Sequence, residues 1–156
     1  MGALMDLVAG DPREILLVLS VDDTAALADR TRFDAHLPLG AGLDPTWLDL
    51  FCEAIRGVLN QAEPLDFLEA RHELQGPQAL VEHTVEHVDA AWVDAIARLL
   101  DRDLDAVTGR WIDLLAEDLG ELSAEEKPWI RQLATELVSF CRAADRSEAV
   151  FFAWSL

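Results

Sequence analysis

Positive charge is what this sequence has least of: 12 of its 156 residues are basic, and Lys127 is the only lysine. Against 30 acidic residues this leaves a formal charge of −18. Phosphate backbones are held by clustered Lys and Arg that release counterions on binding, and no such stripe occurs here, which excludes nucleic acid as a partner. The same deficit disfavours attachment to an anionic membrane surface. The field of an acidic chain favours instead a basic protein, a cationic ligand or a metal ion, and it also keeps the chain soluble.

Cysteine is scarce as well. Cys52 and Cys141 each follow a Phe in an apolar, helix-like stretch, without the close spacing of zinc or redox motifs, so both read as reduced core thiols. No apolar run approaches the length of a membrane span. The start, Met1 to Asp6, has no cationic region, and Asp6 stands where a myristoylation signal wants Ser or Thr. The expected compartment is therefore the cytoplasm. Also missing are G-x-G-x-x-G, a phosphate loop and G-x-S-x-G, and neither cysteine has a histidine nearby in sequence.

What is present suffices for one globular domain: 51% hydrophobic and 27% charged residues over a length that buries a core without staples. Residues 3–9 form a short apolar run. Asp11-Pro12-Arg13-Glu14 then starts a helix, since Asp caps free N–H groups and Pro fits the first helical position, and it assigns the apolar run Ile15–Leu19 to that helix. Residues 30–43, with Pro38, Gly40 and Gly42, read as a surface connection. Asp44-Pro45 opens a second helix whose apolar face is Trp47, Leu48, Phe51, Cys52, Ile55, Val58 and Leu59. A shorter helical pattern spans 64–75 and closes at Gly76-Pro77. From Val85, the residues Val88, Trp92, Ala95, Ile96 and Leu99 share one helical stripe. Gly109 and Gly120 punctuate 102–119, which reads as two short helices. Ser123-Ala124-Glu125-Glu126 is a capping box opening the last helix, with Trp129, Leu133, Leu137, Phe140, Cys141 and Ala144 as its buried face. The end, Ala149–Trp154, reads as a strand. The fold class that follows is α+β: a mostly helical single domain, residues 1–156, whose short N- and C-terminal strands pair in a small sheet with helices on one side.

This order of parts resembles the YfbM-like family of small bacterial proteins. The likeness rests on Met1-Gly2 before a short strand and helix, on the Leu43-Asp44-x-x-Trp47 helix start, on Thr84-Val85-Glu86-His87-Val88, and on the closing Phe140–Ala144 helix with its terminal strand. The resemblance implies an α+β fold and no established activity. The chain departs from the family pattern at Pro45-Thr46, where a Lys commonly precedes the Trp, and in having no tyrosine.

Two stretches could carry chemistry. His83-Thr84-Val85-Glu86-His87 matches the H-x-x-E-H order of inverted zinc peptidases, in which two histidines one helical turn apart hold Zn²⁺ and the Glu acts as general base. His72, beside Glu73, is the candidate third ligand, and His36 lies in the expected connection. A single helix over 81–99, however, puts Val81, Val85, Val88, Trp92 and Leu99 toward the core and the two histidines away from it. If Thr84 is instead the N-cap, His83 lies outside the helix. The second stretch, 101–126, holds Asp101, Asp103, Asp105, Asp113, Glu117, Asp118, Glu121, Glu125 and Glu126 against Arg102 and Arg110. It is no EF-hand, because Ala106 and Ile112 occupy the Gly and Glu positions of that loop. It is either a set of solvated helix faces or a docking surface for a basic protein. Of the five tryptophans, Trp92 and Trp129 fall on expected buried stripes, whereas Trp47 and Trp154 are placed to edge a pocket. The leading expectation is a non-catalytic binding or regulatory, immunity-like protein without a cofactor; a zinc-dependent hydrolase is the alternative.

Overall fold

The computed structural model describes residues 4–20, 24–40, 45–59, 83–120 and 122–155. In chain order they form β1 (Leu4–Gly10), α1 (Pro12–Ser20), a 3-10 turn (Thr24–Ala28), β2 (Phe33–Gly40), α2 (Pro45–Leu59), β3 (His83–His87), α3 (Ala90–Ala97), α4 (Asp101–Leu119), α5 (Glu126–Ala144) and β4 (Ala149–Ser155). The strands make one antiparallel sheet in the order β2-β1-β4-β3. Its two central strands are the terminal runs, paired without a slip from Leu4 opposite Ser155 to Gly10 opposite Ala149. The α+β class and the pairing of the terminal strands thus hold.

Helices cover both faces of the sheet, not one. Strand alternation sends Leu7 and Ala9 of β1 and Val150 and Phe152 of β4 into the large core with α2, α3, α4 and α5. Val8 and Phe151 point the opposite way and join Ile15 and Val18 of α1, Leu27 and Phe33 in a second cluster. The cap expected for α1 is present: Arg13 N–H donates to Asp11 Oδ1 at 2.8 Å.

The stretch 30–43, expected to be a connection, contains the edge strand β2. Ala35, Leu37 and Leu39 are buried in the large core, and this alternation outweighs the proline. His36 O accepts from Arg30 Nη2 at 3.2 Å, so the backbone groups of residue 36 face away from β1. Pro38 has the same phase, and its missing N–H costs no ladder bond. The register with β1 slips between Ala9 and Gly10, which carries Phe33 across to the Val8 face. Asp6 and His36 also lie on that face, joined at 2.7 Å. An ionised carboxylate only accepts, so His36 Nε2 is the donor.

Residues 81–99 are not one helix. β3 occupies 83–87, Val88 N–H donates to Val150 O at 2.9 Å, and Asp89 then caps α3 by accepting from Ala91 N–H at 2.8 Å. From there Trp92 and Ile96 are buried on α3 and Leu99 just beyond its end, as expected, whereas Ala95 of the expected stripe is only partly buried. The two short helices expected over 102–119 are one helix, α4, running through Gly109; it stops at Gly120, whose φ of 92° suits glycine. The capping box of α5 is reciprocal: Glu126 N–H donates to Ser123 Oγ at 3.1 Å and Ser123 N–H to Glu126 Oε2 at 3.4 Å. Trp129, expected in the buried face of α5, is 45% exposed. The segment 64–75 lies outside the described residues.

Candidate functional site

The H-x-x-E-H stretch forms β3, and this changes what it can do. Four residues of strand separate positions 83 and 87 by roughly 13 Å at about 3.3 Å per residue, far beyond the reach of two nitrogens bonding one tetrahedral ion. Glu86 is half-buried and pairs with Phe152, while His87 is exposed and pairs with Phe151, so the general-base and ligand candidates sit on opposite faces. The side chain of His83 and all of His72 fall outside the described residues. Among those described, no three His, Cys, Asp or Glu side chains form a group able to hold a metal.

His87 has other surroundings. Its ring packs against Phe151 with centroids 4.4 Å apart at 46°. It lines a cleft of about 320 Å³ where the β3–α3 corner faces the turn from α5 into β4. Val88, Val93, Ala144 and Val150 supply apolar wall, and Asp145, Ser147 and Glu148 supply polar groups. The turn is fixed by two bonds of Ser147: its N–H donates to Ala144 O at 2.9 Å and its hydroxyl to Asp34 Oδ2 at 2.8 Å. The polar run Asp145–Glu148 between an apolar helix and an apolar strand marks a turn in sequence, but nothing local says that the turn faces His87.

The acidic stretch resolves into carboxylates distributed around α4 and the start of α5. Folding brings arginines of α5 onto its first half: Arg142 Nη2 donates to Asp101 Oδ1 at 3.0 Å, and Arg131 Nη1 to Asp105 Oδ1 at 3.0 Å. Asp103 is half-buried. Asp113, Glu117 and Asp118 are exposed and make no ion pair among the described residues. Asp113 borders a furrow with Arg110, Lys127 and Arg131, so the density of negative charge read along 101–126 is diluted on the folded surface. Glu121 lies outside the described residues.

Trp47 is half-buried in the first turn of α2 and meets Trp129 edge to face, with centroids 6.2 Å apart at 76°. Its carbonyl accepts from Trp111 Nε1 at 2.8 Å, which ties α2 to α4. The backbone of Trp154 pairs with Met5 and Thr84, on two other strands, and its side chain is outside the described residues. Trp47 and Trp154 are therefore not brought together by any described contact. Both cysteines are buried, as expected of core residues. No described helix is long and apolar enough to cross a membrane.

Comparison with known protein families, curated proteins and solved structures yields no match.

Proposed function

We propose that the protein works by binding rather than by catalysis, as a regulatory or immunity-like partner of a basic protein in the cytoplasm. The observation that carries this reading is the division of labour along α4. Asp101 and Asp105 are matched by arginines of α5, whereas Asp113, Glu117 and Asp118 at the other end are exposed without an ion pair among the described residues. Unmatched carboxylates on a rigid helix, in a chain of charge −18, attract and orient a cationic surface at little cost to the fold.

The test is capture of partners from lysate by the wild type and by the triple variant Asp113→Asn/Glu117→Gln/Asp118→Asn. The expected result is a basic protein held by the wild type, released at about 1 M salt, where the screening length is about 3 Å, and lost from the variant. A partner held equally by both, or unaffected by salt, rules out this dock.

A further inference from the structure

We infer that the cleft containing His87 is a binding site for one small organic cation, a guanidinium or alkylammonium group of side-chain size. Its volume, about 320 Å³, lies at the lower end of the range typical of small-ligand pockets. Its walls are apolar and polar in similar measure: Val88, Val93, Ala144 and Val150 supply the apolar part, and its charged lining groups are Asp145 and Glu148, with no Lys or Arg among the lining residues.

Three helix ends meet here, and their dipoles do not all favour the same sign of ligand. The C-terminus of α5, at Ala144 and Asp145, contributes partial negative charge. The N-termini of α1 and α3, at Pro12 and Ala90, would oppose it, but both are already occupied by carboxylates. Asp11 accepts from Arg13 N–H at 2.8 Å and Asp89 from Ala91 N–H at 2.8 Å. The nearest cations in sequence, Arg13 and Arg146, adjoin lining positions without lining the cleft. The flat ring of His87, seated on Phe151, gives a planar guanidinium a face to lie against.

A metal ion is the other cation to consider. His87, Asp145 and Glu148 border the cleft without forming a three-ligand set. The site therefore offers charge and apolar wall, which suit an organic cation, rather than convergent ligands.

The experiment is a titration of the full chain with N-acetyl-arginine amide, followed by backbone amide chemical shifts, with the neutral isostere N-acetyl-citrulline amide as control. Saturable shifts centred on His87, Val88 and Ser147 are expected for the arginine derivative alone. The double variant Asp145→Asn/Glu148→Gln should weaken binding roughly five- to tenfold, the scale of losing two partly exposed charge pairs, while Glu117→Gln/Asp118→Asn on α4 should leave it unchanged. Equal binding of the citrulline derivative, shifts spread over α4, an unaffected double variant, or no saturation would each overturn the proposal. Zn²⁺ saturating the same amides in preference to the arginine derivative would also overturn it. Because α4 serves as the control, failure here is distinguishable from failure of the docking surface.

Discussion

Arg142 and Asp101 are joined across the fold at 3.0 Å, and the same Arg142 nitrogen also donates to Leu99 O at 2.7 Å. One guanidinium thus holds both sides of the corner between α3 and α4. The carboxylate is 85% exposed, so the ion pair itself contributes little. The bond from a charged donor to a main-chain carbonyl is worth more. Arg142→Met is expected to lower unfolding free energy by about 1–2 kcal/mol, and Asp101→Asn by about 0.5 kcal/mol or less. Urea unfolding curves of the two variants check the order; equal losses would mean that the pair, not the carbonyl, holds the corner.

Gly10 and Gly109 should respond to alanine with opposite signs. Gly10 sits at φ +153° at the end of β1, and a Cβ there would approach Phe33 Cα at 3.4 Å. Backbone strain of this kind costs about 1–3 kcal/mol. Gly109 lies inside α4, where an added Cβ meets nothing within 4 Å. There alanine restores helix propensity and should stabilise by up to about 1 kcal/mol. Thermal unfolding of the two single variants measures both; a gain at Gly10 would contradict the strained backbone.

Much of this architecture is written locally. The Asp11-Pro12 start, the Ser123–Glu126 box and the apolar stripe of α2 each depend on residues within a turn or two of one another, and each folds as its pattern dictates, except that Leu59, at the end of the α2 stripe, is exposed. The misreadings share a cause: sheet membership is decided by distant partners. Val85, Val88 and Trp92 have helical spacing, yet pairing of positions 83–87 with β4 takes the first part of that run into the sheet. In β2, Pro38 and Gly40 signal a break, while the buried alternation of Ala35, Leu37 and Leu39 becomes meaningful only beside β1. Trp129 follows the apolar period of α5 but falls at the flank of its buried face, against Trp47. The cleft is least legible of all, because His87 and Glu148 come to line it only through two different turns.

The strand geometry of 83–87 has a consequence for zinc. Positions 83 and 87 are roughly 13 Å apart along β3, so their joint removal should do no more to metal content than removal of either one. Protein purified without a histidine tag is expected to carry well below one zinc per chain by elemental analysis, and His83→Ala/His87→Ala should leave that figure unchanged. Stoichiometric zinc abolished by either single substitution would restore the peptidase-like alternative.

Alkaline stability should depend in part on the buried thiol of Cys141. Burial pushes the Cys141 thiol well above its ordinary value of 9.0, and the carboxylate of Asp145 acts in the same direction. The folded chain therefore keeps this proton where the unfolded chain releases it. Below pH 9 both states hold the proton, and the stabilisation relative to an ionised thiol is fully present. Above pH 9 the unfolded state binds fewer protons than the native state, so stability falls as pH rises, by at most about 1.4 kcal/mol per pH unit from this group. The comparison suits the chain, which has no tyrosine and one lysine to titrate in the same range, and whose second cysteine, Cys52, is common to wild type and variant. Urea unfolding between about pH 8 and 10.5 should show a decline that is shallower in Cys141→Ala than in the wild type. The substitution also leaves a small cavity, so the slope with pH, not the absolute stability, is the informative quantity: parallel curves would mean that the Cys141 proton is not retained on folding.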